Sequence, residues 1–193
     1  MQIDSPDLPV KKLVPLLLLA LSVPVFSATA FAADVVITSV GQSSDGMMLK
    51  VLMHKTSIEA DYDSALSAST RNFGAQKAIV AVLGGSAKGL GAAGISKDDE
   101  KARSRTLLLE ARKRGVKVLV MHIGGDRRRG ELTDTLIEAV TGFADSLIVV
   151  KSGNLDGVFS RTKSSSAKLI EVETAQAAVP VLEATLKGWG VTR

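Results

Sequence analysis

The chain has 193 residues, no cysteine, 4% aromatic residues and a formal net charge of +4. Without cysteine, disulfides, thiolate metal sites and thiol catalysis are excluded; with few aromatic stacking platforms and a modest basic excess, nucleic-acid binding is not expected. The length suits one domain, large enough to bury its core without a covalent staple.

Residues 1–32 read as a secretory signal peptide. Lys11 and Lys12 supply a positive start, residues 13–26 an apolar core, and Ala30-Phe31-Ala32 a small-x-small cleavage site. The apolar run is interrupted by Pro15 and Pro24 and is shorter than a membrane span requires. Ala33 is then the first residue of a mature chain with no membrane insertion. Residues 33–193 form a single domain, and its compartment is periplasmic or extracellular.

In chain order, the first element of that domain is an apolar strand over 35–40, followed by a polar loop at 41–46. A helix over 44–55 is expected to pack Met48, Val51 and Leu52. A shorter, more polar strand over 58–62 suits a sheet edge, and an apolar strand over 78–83 suits its centre. Residues 84–94 (GGSAKGLGAAG) follow; five of these eleven are glycine, and they read as a loop that brings backbone close to a ligand. Ser96 with Asp98 and Asp99 opens a helix that Lys113, Arg114 and Gly115 close with cations and a C-terminal glycine. A strand over 116–123 leads to the loop 124–130 (GGDRRRG). Next comes a helix over 131–142, whose Leu132, Leu136, Ala139 and Val140, with Phe143, share one face. A strand over 147–150, a loop at 151–157, a solvated serine turn at 164–166 and an edge strand over 167–172 follow. The last helix starts at Thr174, with a kink expected at Pro180. No internal repeat or low-complexity tract is present.

Alternation of buried strands with amphipathic helices defines an α/β fold, three-layered, with a mainly parallel sheet and helices on both faces. A flavodoxin-like or Rossmann-like arrangement follows, with strand order 2-1-3-4-5 and the sixth strand extending the edge. In such a sheet the loops after the strands converge on one edge, where ligands bind. All four of those loops are rich in glycine and polar groups. Candidate ligand-binding residues are Gln42, Ser43, Ser44 and Asp45 in the first, and Gly84, Gly85, Ser86, Lys88, Gly89 and Gly91 in the second. The third supplies Gly125, Asp126, Arg127 and Arg128, and the fourth Lys151, Ser152 and Asn154. The cations and the helix dipoles favour a carboxylate, phosphate or sulfonate.

Several catalytic patterns fail on spacing. Residues 89–94 match G-x-G-x-x-G, but a dinucleotide site places its first glycine directly after the strand, and no cofactor is expected. No G-K-[ST] of a phosphate-binding loop occurs. A hydrolase would use Ser86 as nucleophile with His122 as base and an acid such as Asp126, yet the glycine a nucleophile elbow needs comes one place late. His122 lies in an apolar run, where a histidine bonded to backbone is the ordinary case. With His54 as the only other histidine, a zinc site of two or three histidines is not expected. Asp45, Asp126 and Asp156 are the one carboxylate set that could hold a cation.

Residues 36–46 (VITSVGQSSDG), 84–96 (GGSAKGLGAAGIS), 120–131 (VMHIGGDRRRGE) and 149–157 (VVKSGNLDG) resemble an uncharacterised family of small exported bacterial proteins across essentially the whole mature chain. The resemblance implies a fold and a compartment, and no activity. The reading that follows is an exported binder of a small anionic metabolite, of the carboxylate or phosphate class, with a membrane transporter or sensor as its partner. A small hydrolase or transferase using Ser86, Lys88 and His122 is the enzymatic alternative, and a structural or partner-binding module the third. Expression of the full chain in a bacterial host should yield a protein whose intact mass corresponds to an N-terminus at Ala33; retention of residues 1–32 overturns the leader reading.

Overall fold

The computed structural model describes residues 1–2, 33–69, 73 and 76–192, so the leader falls outside the described residues. Six strands form one parallel sheet: β1 (Val35–Val40), β2 (Ala60–Tyr62), β3 (Ala78–Leu83), β4 (Lys117–His122), β5 (Ser146–Val150) and β6 (Lys168–Val172). Their order is β2-β1-β3-β4-β5-β6, the expected order with β6 added at the edge. The two elements read as edges from their polarity, β2 and β6, are the edges.

The nearly continuous apolar runs are explained by cover on both faces. Val36, Ile79, Ala81, Val118, Val120, Leu147 and Val149 point into one core, against α3 (Lys97–Lys113), α4 (Glu131–Val140) and α5 (Val158–Thr162). Their chain neighbours Val35, Ile37, Val80, Leu119, Met121 and Ile148 point into the other, against α1 (Asp45–Met53) and α6 (Ala175–Gly188). Strand periodicity sends alternate side chains to opposite layers, so no strand position can be polar without facing a helix.

Helix ends follow local chemistry. Ser96 accepts a hydrogen bond from Asp99 N–H while the Asp99 carboxylate accepts from Ser96 N–H, a reciprocal cap that starts α3. At the other end Gly115 adopts φ 75°, and Val116 N–H donates back to Ala111 O at 3.0 Å. α6 runs through Pro180 in one piece, from Ala175 to Gly188.

Two local expectations are corrected. The 84–94 segment is not a loop throughout, because Ala87–Ala93 forms a helix, α2, with Ser86 as its N-cap. Three alanines and a leucine outweigh two interior glycines, and a capping serine nucleates the turn. In α1 the buried residues are Asp45, Gly46, Leu49 and Met53, whereas Met48 and Val51 are exposed. The helix is apolar nearly all round, so its periodicity did not mark which side meets the sheet.

One buried ion pair ties the layers together at the carboxyl edge. Glu100, on α3, is fully buried and accepts from Gly41 N–H at 2.7 Å and from Arg103 Nη2 at 2.7 Å and Nε at 2.8 Å. Arg103 also donates to Ser39 O at 2.6 Å and to Leu66 O. Breaking such a pair strands a buried charge, at a cost of about 3 to 5 kcal/mol. Urea unfolding of Glu100→Ala should show a loss of that size, and a loss below about 1 kcal/mol would refute the role given to this carboxylate.

Candidate functional site

The loops after β1 and β3 lie on the same edge and touch directly. Gln42 bridges Gly85 in antiparallel fashion, and Ser86 N–H donates to Gly41 O at 2.8 Å. The approach is too close for side chains: a Cβ on Gly89 would lie 1.9 Å from Gln42 O, and one on Gly84 would lie 2.7 Å from both Asp45 Oδ2 and Ser43 Oγ. These glycines serve chain-to-chain packing. Gln42 itself has φ 56°, a left-handed conformation that costs a non-glycine residue about 1 kcal/mol or more. Its amide offsets this by donating to Ser64 O at 2.9 Å, with Glu100 oxygens at 3.4 and 3.5 Å.

Ser86 Oγ accepts from Gly89 N–H at 3.0 Å, which is its capping bond. His122 is fully buried, with Nδ1 2.9 Å from Leu83 O and Nε2 3.0 Å from Gly125 O. Ser86 and His122, the nucleophile and base of the hydrolase reading, are thus each engaged with backbone. Burial lowers the His122 pKa below its ordinary value and outweighs the two carbonyls, which favour the charged ring. A neutral ring has one N–H, so it can donate to only one of those carbonyls at a time.

The internal acids at this edge are already matched. Asp45, buried, accepts from Arg128 through Nε and Nη2, both at 3.1 Å. Asp156 accepts from Arg129 Nη1 at 3.1 Å and Nη2 at 2.9 Å, Asp134 accepts from Arg129 Nε at 2.7 Å, and Arg129 Nη1 reaches Gly153 O at 2.6 Å. The Arg129 guanidinium therefore holds the Asp156 carboxyl down at about 2. Asp126 and Ser152 join the loops after β4 and β5, with Asp126 N–H donating to Ser152 Oγ at 3.2 Å and Ser152 Oγ to Asp126 Oδ1 at 3.3 Å. Asn154 is buried and structural in its contacts: Oδ1 accepts from Phe159 N–H at 2.9 Å and Nδ2 donates to Glu171 at 2.7 Å. Asp45, Asp126 and Asp156 face different partners; among the described residues no group of three or more metal-ligating side chains is assembled.

What stays open is mainly cationic, although Asp126 is also exposed and forms no ion pair among the described residues. Lys88 on α2, Arg127 in the 3₁₀ turn Gly125–Arg128 and Lys151 in the 3₁₀ turn Lys151–Asn154 are exposed, and none forms an ion pair among the described residues. Ser44 and Gly91 are exposed as well. The amino edge is the opposite case: Lys77 pairs with Asp34 at 2.8 Å and Lys117 with Asp145 at 3.5 Å. Beside α2 a cavity of about 480 Å³ is lined by Ala87, Leu90, Gly91, Ile95, Lys97, Glu131 and Leu132, with Lys97 and Glu131 paired at 3.4 Å. A cavity of about 460 Å³ at the amino edge and a groove of about 710 Å³ along β6 and α6 lie away from the four loops.

Sequence reasoning missed Glu100, Arg103 and Thr133, which accepts from Gly85 N–H at 2.9 Å and donates to Arg128 O at 2.7 Å. All three lie on helices and reach the edge from the side. The i, i+3 spacing of Glu100 and Arg103 was the one available signal.

Fold and site together define a three-layer parallel α/β domain whose glycine-rich loops meet at the carboxyl edge of the sheet. The chain belongs to the DUF6305 family, a domain of unknown function, whose model matches residues 32–186. Comparison with curated proteins and with solved structures returned no match. Among the described residues no helix is long and apolar enough to cross a membrane.

The buried histidine makes stability pH-dependent. An unfolded chain protonates His122 at the ordinary 6.5, the folded one only lower, so the stabilising contribution is complete above about 6.5 and is lost as pH falls below it. The Asp156 contribution disappears only further down, between 3.8 and about 2. Urea midpoints should fall between about pH 7.5 and pH 5 in the wild type and fall less in His122→Gln; parallel curves would contradict this assignment.

Proposed function

We propose that the protein is exported and binds a small anionic metabolite, of the carboxylate or phosphate class, at the carboxyl edge of the sheet, as an accessory to a membrane transporter or sensor. One observation carries the reading: among the described residues Lys88, Arg127 and Lys151 stand exposed and without an ion pair after three consecutive strands, while of the neighbouring acids Asp45, Asp134 and Asp156 are paired internally and Asp126 alone is not. Adjacent strands are about 4.8 Å apart, so the loops after β3 and β5 are separated by roughly 10 Å, a span that long basic side chains can bridge. The cavity between α2 and α4 lies at the same edge, with Ala87, Leu90, Ile95 and Leu132 as an apolar wall and the Lys97–Glu131 pair in its lining.

The paired acids restrict what each arginine can do. Arg128 and Arg129 are committed to the protein's own carboxylates, so Lys88, Arg127 and Lys151 are the groups left for an incoming anion. Exposed cations are fully hydrated, and a ligand gains most where it displaces that water beside an apolar wall. Lys88 is an exposed cation on α2, the helix whose Ala87, Leu90 and Gly91 line that cavity. The bonds of Ser86 and His122 to backbone favour binding over nucleophilic catalysis.

A thermal-shift panel of small carboxylates and phosphates, followed by calorimetry, tests the reading. Lys88→Ala should weaken the ligand found by about tenfold or more, the scale of one charged hydrogen bond, and Lys151→Ala should weaken it less. Lys113→Ala, at the other edge, should leave affinity unchanged. Equal affinity in wild type and Lys88→Ala would remove the glycine-rich segment from the site.

A further inference from the structure

The loops after β4 and β5 hold one acid that the protein leaves unmatched. Asp126 is exposed and forms no ion pair among the described residues, whereas Asp45, Asp134 and Asp156 each hold an arginine. It is nevertheless fixed in place. Ser152 Oγ accepts from Asp126 N–H at 3.2 Å and donates to Asp126 Oδ1 at 3.3 Å. One carboxylate oxygen is thus tied to the neighbouring loop, and among the described residues Oδ2 has no hydrogen-bond partner. The two turns can meet there because residue 125 is glycine: its φ is 61°, and a Cβ on it would stand 2.5 Å from Ser152 Oγ.

Cations flank this carboxylate in both turns. Arg127 follows Asp126 in the turn Gly125–Arg128, and Lys151 precedes Ser152 in the turn Lys151–Asn154. Successive side chains of a 3₁₀ turn diverge by about 120°, so Asp126 and Arg127 project apart and stay available to a third group. The pair of turns therefore presents positive, negative and positive charge, each cation one residue from the Asp126–Ser152 contact. A ligand with negative charge alone is attracted by Arg127 and Lys151 and repelled by the acid between them.

We propose that the ligand is a zwitterion of the α-amino acid class, its ammonium held by Asp126 and its carboxylate by the cations around it. The proposal rests on the reading that this rim binds a small anion. An α-amino acid carries its ammonium on the carbon next to its carboxylate, and the rim likewise sets opposite charges on consecutive residues. The ammonium brings three donors to the carboxylate whose Oδ2 is unengaged. A simple carboxylate or phosphate brings none and leaves the repulsion in place. A metal cation fits less well, because Asp126 would be its one carboxylate in these turns and Arg127 and Lys151 would oppose it.

Calorimetry with the L-amino acids, the corresponding α-hydroxy acids and inorganic phosphate tests the proposal. At least one amino acid should bind the wild type about tenfold or more tightly than its hydroxy analogue, which keeps the side chain and carboxylate and lacks the ammonium. Asp126→Asn, which keeps an oxygen for Ser152, should weaken that amino acid by about tenfold or more and leave the hydroxy acid unchanged or tighter. A hydroxy acid or phosphate that binds the wild type as tightly as any amino acid overturns the proposal while the anion-binding reading stands. An amino acid whose affinity is the same in wild type and Asp126→Asn does so too. Absence of binding by all three classes overturns both.

Discussion

A carboxylate buried without water must be surrounded by donors, and at the carboxyl edge of this sheet that requirement organises the rest. Glu100 draws the Gly41 N–H, the Arg103 guanidinium and the Gln42 amide toward one point. To reach it the chain after β1 turns through two successive residues of positive φ, Gly41 at 99° and Gln42 at 56°. That turn brings Gln42 against Gly85 and Gly89, and so sets the path of the chain leaving β3. The strain at Gln42 is sustained because its side chain and its neighbour's N–H both bond into the same cluster.

The tight contact between the first two loops has a second consequence. With Gly84 and Gly124 lacking side chains, the Asp45–Arg128 pair can lie directly over the ends of β3 and β4; a Cβ at Gly124 would stand 2.5 Å from Arg128 Cβ. The glycines thus make room for the protein's own ions. This edge is rigidly built and largely filled at its centre, and its open chemistry is displaced to the rim, where Lys88, Arg127 and Lys151 project.

The binding proposed at that rim would differ from the deep crevice usual at the topological switch point of an open α/β sheet. A ligand would meet cations spread over three loops, beside an apolar cleft between α2 and α4, with no preformed cage around it. Recognition of that kind depends on charge and salt more than on shape. It would also suit the proposed accessory role, since a ligand held at a rim is released with little rearrangement.

The sequence by itself determined the sheet. Val-rich and Ile-rich runs of four to eight residues between amphipathic segments admit few other folds, and the polar composition of 58–62 and 167–172 marked both edges correctly. Caps that act within one turn were equally legible, as Ser96 with Asp99 and Gly115 demonstrate. Tertiary structure alone decided three matters. The covered side of α1 could not be read because nearly every residue in it is apolar, so only contact with β1, β2 and β3 selects Leu49 and Met53. Where the helix inside the glycine-rich segment sits is fixed by Ser86 N–H donating to Gly41 O, a contact between residues far apart in the chain, although its cap and propensity are local. The partners of Asp45, Asp156 and Glu100 decide which cations remain available, and two of those three pairings cross more than twenty residues, beyond any local pattern. Local propensity and periodicity act over a few residues; the pairing of buried charge is settled only when the layers close around it.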